Sequence, residues 1–410
     1  MKSYLSTLKT YFIIIPLFAS QLINANNNDS IAFKINFKGF IKSDVIFDSR
    51  QTVSAREGFV LLYPQKPMLD ANGKDINQGF HLNQYASSSR LIAQADHQLN
   101  SNTKLKMYLE TDFTGSSNAT YNSMRLRHAF IRIEKEKMFF MMGHDWHPLV
   151  AEDVFPDMVS LNLGNPFKSA IRVPQLRLGF KNYHKIDFFI TASTQLDNSS
   201  NGPDGISTKY LRDAAIPNLS TNIQWISGDF KIGGLIDYKV LKFSNNDSIL
   251  GIQKDYCHSM TYSIYGKYEN PKFLAKSQLI LGENLFEHVM LGGVAQKSGS
   301  YDFLASQTAS AWINIFWKTK KINLGFFAGY TENMGYKNET DGNYFTRGSD
   351  IHSIYRFAPQ LLFKASNKLL LFSETELTTA LFGTTNTFGK VEKTKSITNI
   401  RENISIILLF

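Results

Sequence analysis

Short and long connections alternate along this chain almost to its end, and between them apolar residues fall on every second position. The short connections are Asn100–Asn102, Glu134–Lys137, Asn182–Lys185, Ser227–Asp229, Asn270–Pro271, Lys318–Lys321 and Ser366–Asn367. The long ones, at about 49–85, 116–121, 148–171, 197–217, 244–255, 285–302, 333–348 and 379–395, are rich in Gly, Asn, Asp and Ser. They delimit sixteen candidate strands, the first near 34–48 and the last at 396–410. Tight turns at one end and long loops at the other suit a closed ring of hairpins. Such a ring is required in hydrocarbon, where backbone N–H and C=O groups find partners only in another strand. The pattern predicts an all-β fold, a transmembrane antiparallel β-barrel of about sixteen strands with short periplasmic turns and long extracellular loops.

Strand parity assigns the faces. At 103–115, Leu105, Met107, Leu109 and Phe113 share one side, and Lys106, Tyr108, Glu110 and Asp112 the other. At the end of the chain Ile400, Ile404, Ile406, Leu408 and Phe410 oppose Asn399, Arg401, Asn403 and Ser405. A soluble sandwich also alternates, with its apolar face inward. Against it stand the connection lengths and the aromatic residues near strand ends: Phe33, Tyr183, Trp225, Tyr268, Trp317, Tyr330 and Phe410. Such residues suit the two lipid–water boundaries. By parity Ile351 and Phe130 also belong to the outer face, the latter opposite Arg125 and Arg127.

With 43% hydrophobic and 19% charged residues the chain is not of disordered composition. No segment holds the roughly 18 consecutive apolar residues of a membrane-spanning helix. Residues 1–25 read as a secretory signal peptide, and 26–410 as one barrel without an internal domain boundary. Removing Lys2 and Lys9 with that peptide lowers the formal net charge from +9 to +7. The positive charge is spread along strands with no basic cluster interleaved by aromatics, so nucleic acid is not an expected partner. The single cysteine, Cys257, excludes an internal disulfide framework.

No catalytic residue, metal site or cofactor is expected. His144 and His147 bracket Asp145, but strand geometry points them to opposite faces. There is no Gly-x-Ser-x-Gly elbow and no phosphate loop. Serine and histidine are plentiful, which keeps an outer-membrane barrel enzyme of lipase type as the alternative, beside a plugged structural or adhesin barrel.

The third long connection, 148–171, differs from the others. It carries Leu149, Val150, Val154, Phe155, Met158, Val159, Leu161, Leu163 and Phe167 among the acids Glu152, Asp153 and Asp157. So much apolar material in a loop calls for a surface to pack on. We expect it to fold into the lumen as a constriction; an external loop packed on its neighbours or at a subunit contact is the alternative. Parity places Arg90, Arg125, Arg127, Arg177, Lys181, Arg356 and Arg401 on the polar face. A Lys or Arg facing lipid at mid-depth costs roughly 2–4 kcal/mol, so these line the lumen. A basic lining favours anions, and the guanidinium fork fits carboxylates. Alternatively they only pair with Glu110, Asp112, Glu374 and Glu376.

Several stretches resemble the DcaP-like porins of bacterial outer membranes. They are Phe37–Asp48 (Phe-Lys-Gly-Phe-Ile-Lys-Ser-Asp-Val-Ile-Phe-Asp), Ser89–Leu91, Glu110–Phe113, Met124–Phe130 (Met-Arg-Leu-Arg-His-Ala-Phe), Met142–Trp146 and Arg172–Phe180 (Arg-Val-Pro-Gln-Leu-Arg-Leu-Gly-Phe). The likeness is best over 35–182. The terminal Phe410 is similar to the signal read by the barrel assembly machinery. The resemblance implies a sixteen-strand homotrimer in outer-membrane lipid, passing small anionic solutes over constriction arginines. It extends pore roles to Arg125, Arg127 and Arg177, and to Arg172. The chain departs from family members that carry an N-terminal helical extension, since its mature sequence reaches the first strand within about ten residues. The function expected is passive diffusion of small hydrophilic, anionic solutes.

Overall fold

Tyr85 of the chain lies opposite Asp44, Arg90 opposite Phe40, and Phe40 also opposite Leu409, so one strand joins the beginning of the sheet to its end. The computed structural model describes residues 34–243 and 256–410; the expected signal peptide and Phe33 lie outside them. The strands are β1 (Ile35–Arg50), β2 (two halves, Gln78–Tyr85 and Arg90–Asn100), β3 (Thr103–Asp112), β4 (Arg125–Lys135) and β5 (Met138–Trp146). They continue with β6 (Arg172–Tyr183), β7 (Ile186–Ser193), β8 (Asn218–Ser227), β9 (Phe230–Lys242), β10 (Tyr256–Glu269) and β11 (Phe273–Glu283). The last five are β12 (Gln307–Lys318), β13 (Ile322–Gly335), β14 (Ile351–Lys364), β15 (Leu369–Thr385) and β16 (Val391–Leu409). Each pairs antiparallel with its neighbours in sequence, and β1 pairs with β16, closing a sixteen-stranded barrel. The break in β2 leaves the Lys42 amide without a ladder partner; Ser89 Oγ accepts it at 3.0 Å.

Outward positions carry Ile223, Ile232, Ile264, Leu279, Ile313, Leu324, Ile404 and Leu408, all exposed. Inward positions carry Asp44, Asp48, Thr331, Arg356, Gln360, Glu374, Glu376, Arg401 and Asn403, all buried. Tyr183, Trp225, Trp317, Tyr330 and Phe410 are exposed near strand ends. This inversion of the soluble pattern, apolar out and polar in, is that of a barrel in lipid.

Two parity assignments change. β-bulges are the cause, because one extra residue flips all that follow it. The pairing of β3 with β4 shifts between Glu110 and Thr111, so both Arg127 and His128 turn inward. Phe130 then faces the lumen, not lipid. A shift beside Ile351 likewise buries that side chain inside the barrel. Two loop boundaries change as well. Gln78–Tyr85 is strand because Asp44–Arg50 supplies its ladder. Most of 379–395 is strand too: Thr384 pairs with Glu392 and Thr385 with Val391, leaving 386–390 as a turn with Gly389 at φ +69°.

Long loops fill much of the interior. A hairpin (Thr52–Ala55 with Val60–Pro64), the 147–171 segment and residues of the 284–306 segment build an apolar core with the wall. Leu62, Val154, Phe167 and Leu291 meet Trp312, Phe327, Ile351 and Ala358 there. Phe167 packs so closely on Gly329 that a Cβ would stand 2.4 Å from its ring. Outside, Gly292–Lys297, Phe303–Ala305 and Thr340–Arg347 form a small sheet among the loops.

The lipid-facing assignment makes Ile264, on β10, a decisive position. Ile264→Lys is expected to lower unfolding free energy by about 2–4 kcal/mol in reversible guanidinium titrations in lipid. An unchanged midpoint would place that face elsewhere.

Candidate functional site: the lumen wall and its loops

The 147–171 segment crosses the lumen and is held at each step by wall side chains. Gln278 on β11 donates to Leu149 O at 2.9 Å, and Lys276 to Phe155 O at 2.8 Å. Asn314 on β12 accepts from Asp157 N, and Gln360 on β14 donates to Asp157 O. Glu374 on β15 accepts the amides of Val159 and Ser160, each at 3.2 Å, while Glu376 accepts from Asn162 Nδ2 at 2.6 Å. Lys42 on β1 donates to Val159 O at 2.5 Å and pairs with Asp44. Backbone groups of an irregular segment inside a barrel need such partners.

Arg356 and Arg401 belong to this anchoring. Both are fully buried. Arg401 holds Asp48 through Nε (2.9 Å) and Nη2 (2.7 Å), and donates to Gly58 O and Phe59 O of the hairpin. Arg356 pairs with Glu376 at 3.1 Å and donates to Asn165 O, Leu61 O and Leu62 O. Each guanidinium thus spends its charge on a wall acid and its spare N–H groups on loop carbonyls.

The wall of β2 to β6 is built differently. Arg125 makes a two-point pair with Asp112 (3.1 and 2.7 Å). Arg127 bonds Glu110 at 2.5 Å and Asp112 at 2.7 Å, and Arg90 stands 3.5 Å from Glu110. Arg172 has no acid partner among the described residues; it donates to His128 Nε2 at 3.0 Å and stacks 3.6 Å over Trp146. Arg90, Arg125, Arg127 and Arg172 thus place four positive charges against the two of Glu110 and Asp112. Arg90 Nε, Arg127 Nη2, Arg172 Nη2 and, from the first loop, Arg56 Nη1 find no protein acceptor among the described residues.

Beside this wall, toward the short-turn end, lies a cavity of about 300 Å³. Lys106, Arg132, Arg177 and Lys181 line it against Glu134, Asp145, Glu152 and Asp153, over an aromatic floor of Phe130, Phe139, Trp146 and Phe189. Arg132 stacks on Phe139 at 3.9 Å and Arg177 on Phe189 at 4.9 Å, which fixes both guanidinium planes. The loop acids divide. Asp153 is paired by Lys231 (2.6 Å) and Asp157 by Lys276 (2.8 Å), both from the opposite wall. Glu152 opens onto the cavity. Confinement among protein groups and the nearby Asp145 push its carboxyl up to about 7, against the pull of Arg177.

His144 and His147 do not share a ligand set; His147, Asp237 and His288 do, with ligand atoms within 4.8 Å of one another. His147 Nδ1 accepts the Leu149 amide at 3.2 Å, and Lys239, which pairs with Glu287, already brings a cation to the cluster. It anchors two loops. Ser169 Oγ lies 2.8 Å from His288 Nδ1, but both are buried beneath loop residues, which leaves no approach for a substrate. Sequence reasoning missed Arg56, His128, Arg132 and Trp146 in the lumen. For His128 and Arg132 strand parity was the only signal, and the bulge at Arg127-His128 obscured it; Arg56 lies in a loop turn, where parity gives none.

No protein-family model and no curated protein matches the chain. Solved structures do match its fold. The outer membrane channel DcaP of Acinetobacter baumannii aligns with TM-score 0.69 at 14% identity, covering 94% of this chain and 100% of that one. The chain has the fold of an outer-membrane porin. An anion-selective porin from Comamonas acidovorans aligns at TM-score 0.57 and 8% identity, over 92% of this chain and all of that one. OmpT of Vibrio cholerae aligns at 0.54 and 13%, over 94% and 100%. At these identities the likeness is one of fold, a porin barrel in each case.

In this porin barrel Glu374 holds two loop amides, and hydrogen bonds to a charged group contribute about 1.5–3 kcal/mol each. Glu374→Ala is expected to speed amide exchange at Val159 and Ser160 at least about tenfold by mass spectrometry, with Glu374→Gln in between. Unchanged protection would remove Glu374 as the anchor.

Proposed function

We propose that the protein is an outer-membrane channel for passive diffusion of small hydrophilic anions, carboxylates among them. The observation that carries this reading is a local surplus on the β2–β6 wall, Arg90, Arg125, Arg127 and Arg172 against Glu110 and Asp112, with guanidinium N–H groups left without protein acceptors among the described residues. These N–H groups are themselves buried, so they support the reading through the positive field of the wall and not through direct contact with a solute. A wall of this kind attracts anions by charge and offers them short-lived, successive contacts. The 147–171 segment narrows the lumen to the side where these arginines stand. A homotrimer, and recognition of Phe410 by the barrel assembly machinery, complete the proposal on the strength of the sequence resemblance. The alternative of a plugged barrel has its own support in the fully buried Arg356 and Arg401; absence of current in planar bilayers would favour it.

Reversal potentials in asymmetric salt test the selectivity. Wild type is expected to prefer anions, and Arg125→Ala/Arg127→Ala to weaken that preference. Because Arg172 holds no carboxylate among the described residues, Arg172→Gln removes a charge without orphaning one of those acids, and it is expected to act in the same direction. Cation preference in the wild type would overturn the proposal.

The Glu152 carboxyl adds a pH dependence. With its proton lost only above about 7, it is anionic at pH 8 and neutral at pH 6. The cavity's four acids then no longer balance its four cations, so anion preference is expected to rise as pH falls through about 7. Glu152→Gln is expected to show the low-pH selectivity at both values; a wild-type selectivity flat across this range would sink the assignment.

A further inference from the structure

The outer face of β9 to β12 departs from the smooth apolar belt around it. At one level Ile232, Gly266, Ser277 and Ile313 lie side by side across the four strands; at the next are Phe230, Tyr268, Ala275 and Ile315. Gly266 and Ser277 thus form a floor two strands wide at the first level, which narrows to Ala275 beside Tyr268 at the next, between Phe230 and Ile232 on one side and Ile313 and Trp317 on the other. Adjacent strands stand about 4.8 Å apart, so this trough accepts one extended hydrocarbon chain. Two contiguous cavities mark it, of about 210 Å³ along the floor and about 550 Å³ at its short-turn end. Tyr268, Phe273 and Trp317 line the second, Phe273 tilted against Tyr268 (centroids 6.3 Å apart) and edge-on to Trp317 (6.2 Å). Trp317 is 64% exposed.

At the mouth the charge is positive. Lys272 lies in the turn after β10, and Lys320 and Lys321 in the turn after β12. The Lys318 amide donates to Lys272 O at 2.8 Å, which sets the two turns side by side. All three lysines are exposed, and none has a carboxylate partner among the described residues. Glu269, the acid between them, is taken by Lys267 (2.7 Å) and Lys318 (3.1 Å); Asp229 stands at the next turn, beyond Phe230. An apolar trough ending in aromatic rings and free ammonium groups matches a molecule with an acyl chain and an anionic head.

We propose that this trough is a binding site for an anionic phospholipid of the leaflet facing the short turns, with an acyl chain over Gly266, Ala275 and Ser277 and the phosphate at Lys272, Lys320 and Lys321. It rests on the membrane orientation given above, not on the ion selectivity of the lumen.

Trp317 reports on the site. In a Trp225→Phe background, Trp317 is the outward-facing tryptophan of the remaining three. The protein is reconstituted in phosphatidylcholine vesicles carrying a minor fraction of dibrominated phosphatidylglycerol or, separately, dibrominated phosphatidylcholine. Phosphatidylglycerol is expected to quench with about tenfold higher relative affinity, given what each lysine contributes at an anionic surface. Lys272→Gln/Lys320→Gln/Lys321→Gln is expected to erase the preference but keep quenching by both lipids. Gly266→Leu, which fills the floor, is expected to reduce quenching by both. Equal quenching in the wild type, or a preference that survives the lysine replacements, overturns the site. So does a Trp317 shielded from both lipids, which would assign the face to a second copy of the chain. Ion current recorded from the same vesicles separates failure of the lipid site from failure of the channel reading.

Discussion

Backbone amides crossing hydrocarbon have no partner except another strand, and the pairing of β1 with β16 is what satisfies the last of them. The rest of the structure follows from that closure. A closed ring has two faces and no edge, so parity alone decides whether a side chain meets lipid or lumen. Even the break in β2 respects the constraint, because the Ser89 hydroxyl stands in for the missing carbonyl opposite Lys42. A lipid-exposed gap in the ladder would leave that amide bare.

Closure creates a polar interior, and the loops that enter it meet charges already in place. A loop has irregular backbone, and its carbonyls and amides inside the barrel need partners as much as any strand does. The wall supplies them in matched kinds. Glu374 takes amides, while Arg356, Arg401, Lys42 and Lys276 give to carbonyls. Neither arginine is left as an isolated buried charge, since Glu376 and Asp48 face them. Apolar residues of the same loops, Val154 and Phe167 among them, then pack on Trp312 and Phe327. The anchoring is polar at its points of attachment and apolar between them.

Strand number, direction and the two faces were legible in the sequence because they depend on a period of two and on connection lengths. The apolar character of 148–171 was legible as well, and its hydrogen bonds to β11, β12, β14 and β15 lie inside the barrel. Bulges were not legible. Arg127 and His128 both point inward, which alternation forbids, and the extra residue carries Phe130 with it. Nor does a sequence tell which lumen cation a loop will occupy. Arg127 and Arg356 have the same parity argument behind them, yet one keeps a free N–H and the other spends every one it has on protein. That distinction depends on contacts about 200 to 300 residues apart, such as Arg356 with Asn165 and Leu61.

The lumen is therefore two walls of opposite character. On β14 to β16 the charges are consumed in holding loops. On β2 to β6, Arg90, Arg127 and Arg172 keep N–H groups without protein acceptors among the described residues, and Arg172 is steadied from behind by Trp146. Stacking fixes a guanidinium plane without using its N–H edge. On the proposed reading, an anion passing along such a wall meets a positive field set by fixed guanidinium planes, and acids nearby that keep any one contact from becoming tight. Transit needs this balance: enough attraction to enter, and a neutralised site at every step from which to leave. On the proposed reading, the two acids Glu110 and Asp112 matter to conduction as much as the arginines do, because without them the wall would retain what it attracts.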